Sequence, residues 1–96
     1  PALFMVWPSK ARSAAFPDVA EAYANAAHAV DGLLLPAGDA WTEAWERDPS
    51  LTLYGPDNFH PSEMGSYLSA LVIYGGLFDV DPRGARVQAP SREAVA

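Results

Sequence analysis

The sequence predicts an α/β fold built on a parallel sheet, with these residues forming the C-terminal part of a larger domain. Two apolar runs, Leu3-Phe4-Met5-Val6-Trp7 and Leu33-Leu34-Leu35, each end at a proline, Pro8 and Pro36. Unbroken apolar runs mark strands covered on both faces, as in parallel sheets, because a strand with one wet face alternates instead. The stretch between them repeats apolar residues at helical spacing, so strand, helix and strand form one βαβ unit with the usual right-handed crossover. Two such strands do not close a core, since each has two hydrogen-bonding edges and parallel strands pair within larger sheets. A domain this small hides only roughly 60 to 65% of its unfolded surface, so an open edge is costly. The central strands are therefore expected upstream. Residues 1–80 read as the C-terminal portion of the domain, and 81–96 as a loosely ordered tail.

Each element has its own local reasons. After a polar loop from Ser9 to Ala15, the helix of residues 17–30 carries Phe16, Val19, Tyr23, Ala26, Ala27 and Val30 as its apolar stripe. Pro17 fits the first turn, and Gly32 stands where a helix stops. Asp39 is expected to cap a second helix that presents Trp41, Ala44 and Trp45 on one side and ends before Pro49. A turn-rich segment, residues 54–61, then leads into a last helix over residues 62–74. Ser62 suits its N-cap and Glu63 its first turn, with Met64, Tyr67, Leu68, Leu71 and Val72 as the buried stripe and Gly75-Gly76 as its end. Beyond Asp81-Pro82, Arg83, Gly84, Gln88 and Pro90 are spaced as in a linker or frayed tail.

Composition narrows the chemistry. Half of the 96 residues are hydrophobic and 19% are charged, which describes a folded segment and not a disordered one. Twelve carboxylates against six Lys and Arg leave a net charge of −6, which argues against nucleic acid or an anionic membrane as partner. There is no cysteine, so disulfides, thiolate metal sites and a cysteine nucleophile are excluded. No apolar stretch approaches the ~20 residues of a membrane span. The first residues lack the basic start of a signal peptide, and the absence of an initial Met suits an internal start.

The informative segment is Asp57-Asn58-Phe59-His60-Pro61-Ser62, which places a carboxylate and an imidazole in one loop running into a capped helix. A serine hydrolase needs an imidazole base to take the hydroxyl proton, and a carboxylate to hold that imidazole in one tautomer and stabilise its protonated form. In a tight turn, Asp57 can fold back to the Nδ1 side of His60 and leave Nε2 for a nucleophile from elsewhere. The competing reading is a surface hydrogen-bonded pair with no chemistry attached. A metal site is disfavoured, because only these two residues cluster and zinc wants three or four ligands.

The run resembles the Asp-x-x-His-Pro-Ser/Thr signature at the C-terminal end of the SGNH, or GDSL, hydrolases. Gly65 and Tyr67 follow as a glycine and an aromatic commonly do in that family, and the likeness covers roughly residues 3 to 80. It implies a flavodoxin-like three-layer α/β/α domain with a parallel sheet, and an esterase or lipase-like activity on a small-molecule ester through a Ser-His-Asp triad without a cofactor. It assigns Asp57 as the orienting acid, and His60 as general base and then general acid. The family's nucleophile segment, oxyanion-hole glycine and Asn motif belong upstream and do not occur here. Gly38-Asp39-Ala40 has alanine where serine is required, and none of Ser9, Ser13, Ser50, Ser62, Ser66 or Ser69 stands in a Gly-x-Ser-x-Gly or Gly-Asp-Ser setting. The chain alone is therefore expected to be inert and to need the rest of the domain or a partner chain to complete its sheet. The alternative is a non-catalytic interaction module or an inactive remnant of such a hydrolase.

The remaining polar and aromatic residues read as structure. His28 shares a solvated helix face with Glu21 and Asn25 and is given no role. Trp41 and Trp45 at four-residue spacing read as core, although exposed rings could stack a sugar. Tyr54 and Phe59 flank the dyad and read as packing under the loop, with an acyl pocket as the other possibility. Gly65 reads as a site of close helix approach.

Overall fold

A computed structural model describes residues 1–79 and shows a small two-stranded parallel sheet with three helices. Strand β1 (Ala2–Phe4) leads through a 3-10 segment (Lys10–Ala15) into α1 (Phe16–Ala29), followed by β2 (Leu33–Leu35), α2 (Ala37–Arg47) and α3 (Glu63–Phe78). The strands pair in the register Ala2 with Leu33, Leu3 with Leu34 and Phe4 with Leu35. The expected strand, helix, strand order is present. The predicted tail, 81–96, lies outside the described residues.

Strand β1 is shorter than the apolar run that predicts it, and the reason lies in its partner. β2 stops at Leu35 because Pro36 has no N–H to continue a ladder and instead precedes the first residue of α2. Met5 then makes the last bonds, its N–H to Leu35 O at 2.9 Å and its carbonyl accepting from Gly38 N at 3.2 Å. The expectation that the strands are covered on both faces does not hold among the described residues, since Phe4 is 37% and Leu33 43% exposed.

Three helix details also depart from expectation. Asp39 does not cap α2; Pro36 stands at the N-cap and Asp39 sits in the first turn, where a carboxylate favours the helix dipole. Helix α1 closes with Asp31, not Gly32, in the left-handed region at φ 51°, and Val30 is exposed instead of belonging to the buried stripe. Helix α3 continues through Gly75-Gly76 to Phe78 and is capped by Asp79 at φ 51°. Gly76 serves packing: a Cβ there would lie 2.5 Å from Leu35 Cδ2, so the bare backbone lets α3 rest on β2. Its buried positions are Gly65 and Ser69, and the predicted stripe from Met64 to Val72 is half-buried.

The core gathers around Trp41, Leu53 and Tyr54, with Trp7, Trp45, Leu51, Met64 and Leu68 packed against them. Trp41 is fully buried and stacks on Trp7 with ring centroids 4.0 Å apart at 13°. Its indole N–H donates to Ser69 Oγ at 3.1 Å, and that hydroxyl donates to Gly65 O at 2.8 Å. Trp45 is half-buried, with its indole N–H given to Leu51 O at 3.0 Å. Both rings are thus core, as their spacing predicts. Gly65 is the contact point, since a Cβ there would meet Leu53 O and Trp41 Cζ2. No helix among the described residues is long and apolar enough to cross a membrane.

Candidate active site

The loop carrying Asp57 and His60 is closed at its base by main-chain bonds. Tyr54 and Pro61 form an isolated antiparallel bridge, with Gly55 N donating to His60 O at 2.7 Å and Ser62 N to Leu53 O at 2.9 Å. Pro56 sets the turn that follows Gly55, and Asn58 N returns to Gly55 O at 3.0 Å. Asn58 takes the left-handed conformation, φ 56°, which its short polar side chain tolerates. Ser62 caps α3 as predicted, accepting from Gly65 N at 3.1 Å while its hydroxyl donates to Thr52 O at 2.6 Å. The exit of the loop is therefore tied to the first turn of the helix.

Asp57 divides its two oxygens between two tasks. Oδ1 accepts the backbone N–H groups of Phe59 at 3.0 Å and His60 at 2.9 Å, folding the loop back over the carboxylate. Oδ2 meets His60 Nδ1 at 2.5 Å. The side-chain bond from His60, followed by the two backbone N–H groups, pulls the Asp57 carboxyl down to about 2. Asp57 is therefore ionised at neutral pH and can only accept, so Nδ1 must carry the proton. Among the described residues nothing hydrogen-bonds Nε2. The His60 side chain is 75% and the Asp57 side chain 51% exposed, so the pair lies at the surface of the described residues.

The structure brings together the two residues singled out in the sequence and leaves the others apart. No serine hydroxyl among the described residues is bonded to His60. His28 lies exposed near the end of α1. Among the described residues no three His, Asp or Glu side chains gather where a metal ion could be held. Tyr54 packs under the loop as expected: its ring contacts Trp41 and Trp45, its hydroxyl donates to Pro8 O at 2.5 Å, and burial pushes its phenol up. Its edge also lines a groove of about 470 Å³ with Lys10, Trp45, Leu51, Leu53 and Asn58. Phe59 departs from expectation: it is 49% exposed, with its ring edge-on to His60 at 5.0 Å.

Two contacts that sequence reasoning missed hold the loop from outside. Lys10 N donates to Asn58 O at 2.8 Å, and Trp7 Nε1 donates to Phe59 O at 2.9 Å. The apolar run places Trp7 only in a strand, although an indole N–H in such a run needs an acceptor and so signals a further contact. Comparison with protein-family models, with curated proteins and with solved structures gives no match.

Proposed function

We propose that the Asp57–His60 loop is the acid–base half of a serine ester hydrolase of the SGNH type, set in a flavodoxin-like α/β/α domain whose nucleophile and oxyanion hole lie outside the described residues. The observation that carries this reading is the Asp57 Oδ2 to His60 Nδ1 contact at 2.5 Å, with Nε2 exposed and unbonded among the described residues. In the proposed cycle, Nε2 takes the proton of a serine hydroxyl as its oxygen attacks the ester carbonyl carbon. The proton passes to the alcohol oxygen as the carbon–oxygen bond breaks, leaving an acyl-enzyme. Nε2 then removes a proton from water, the resulting hydroxide attacks the acyl carbon, and the serine leaves with the proton returned. Asp57 stays ionised throughout, holding the tautomer and facing the imidazolium when it forms.

The test is hydrolysis of p-nitrophenyl esters by the intact protein. His60→Ala is expected to lower turnover by roughly 10⁶, or about 8 kcal/mol of barrier. Asp57→Asn is expected to cost on the order of 10⁴. Near-normal turnover in the His60→Ala protein would overturn the assignment.

One observation favours the second reading, a non-catalytic module or inactive remnant. The two backbone bonds to Asp57 Oδ1 fold the loop without any need for chemistry. Asp57→Asn separates the readings, because its side-chain oxygen still accepts those N–H groups while its charge is gone. Ester turnover in the wild type that is lost in folded Asp57→Asn supports the hydrolase; a folded wild-type protein that turns over no ester supports the module.

A further inference from the structure

We infer that Trp7 is a positioning residue for His60, clamping the peptide that joins Phe59 to His60 from the side opposite Asp57. The carbonyl of that peptide accepts from Trp7 Nε1 at 2.9 Å, and its N–H donates to Asp57 Oδ1 at 2.9 Å. Rotation of this one peptide plane would break both bonds. The plane also sets where the His60 side chain leaves the backbone, so it governs whether Nδ1 meets Oδ2. Beyond Asp57, the His60 side chain has little support among the described residues, since three-quarters of it is exposed and the ring beside it, Phe59, is itself half exposed.

The clamp is rigid because its foundation is buried. Trp7 lies flat on Trp41, the fully buried ring, at 4.0 Å and 13°, and its edge meets Phe4 at 6.2 Å. Trp41 is in turn fixed through Ser69 to the Gly65 carbonyl in α3. Stacking fixes the plane of the Trp7 indole, and with it the direction of the N–H. A chain of contacts thus runs from α3 through two tryptophans to the peptide beside His60, spanning 52 residues of sequence at its last step. The consequence for turnover rests on the hydrolase reading; the consequence for the Asp57–His60 contact does not.

The experiment is Trp7→Phe in the intact protein, which keeps an aromatic face for Trp41 and removes the N–H. The ¹³C carboxyl signal of Asp57 is followed against pH, alongside thermal unfolding and ester hydrolysis. A protein that unfolds as the wild type does should show the Asp57 midpoint raised by about one unit as the His60 contact loosens. Its kcat should fall about 10- to 100-fold with KM unchanged. An unmoved midpoint in folded Trp7→Phe protein overturns the inference, whatever the activity. A raised midpoint in a protein without esterase activity overturns the hydrolase reading and leaves the clamp standing. Should Trp7→Phe fail to fold, solvent exchange of the assigned Trp7 indole N–H in the wild type decides: exchange slowed about tenfold or more against free indole supports the clamp, and exchange at the free rate overturns it.

Discussion

Asp57 shows how much one carboxylate can determine when each oxygen has a separate partner. Its three acceptor contacts all favour the ionised form, which is why the carboxyl sits at about 2 despite its exposure. The sign follows from that depression: the contacts are fully present above the ordinary carboxylate value of about 4 and are lost as pH falls toward about 2. The Asp57 carboxyl signal in an NMR titration should therefore have its midpoint near 2, whereas a midpoint near 4 would mean that the pair is not formed in solution. The pair was legible in the sequence because three residues in a turn can touch through local geometry alone. The Trp7 tether was not, because no local pattern says which distant carbonyl an indole N–H will find.

Helix α3 carries the loop, and its first turn is where the loop becomes part of the core. Ser62→Ala removes the cap and also leaves Thr52 O without its donor. Its urea unfolding should show a loss of roughly 1 to 2 kcal/mol, and a loss near zero would show that the cap is not formed. Gly65→Ala would drive a methyl into Leu53 O and Trp41, atoms of backbone and buried ring that have little room to move. It should destabilise by about 1 to 3 kcal/mol in the same measurement, and a neutral effect would contradict the close approach. The start of this helix was readable from Ser62 and Glu63. Its end was not, since Gly75-Gly76 looks like a stop signal and only the nearness of Leu35 shows that Gly76 serves packing. Asp39 misled in the same way: Pro36 starts α2 early and leaves the aspartate inside the first turn.

At the scale of the whole molecule, the two strands pair with each other and leave their outer edges and much of their faces open among the described residues. Phe4 and Leu33 on the strands, Val6 just beyond β1, and Tyr74, Leu77 and Phe78 on α3 remain more than a third exposed. An α/β arrangement was legible from two apolar runs around a helical stretch, but the depth of its burial was not, because covering a strand depends on elements far away in sequence. If the sheet needs further strands, residues 1–96 produced alone should self-associate in sedimentation velocity and unfold over a broad transition; a monomer with a sharp transition would show that this unit is sufficient. The central claim, that His60 is the base for a serine, is tested most directly by labelling the intact protein with a fluorophosphonate and locating the adduct by mass spectrometry. A single serine should be labelled in the wild type and lose its label in His60→Ala. Equal labelling of the two proteins, or no labelled serine in either, would contradict the claim.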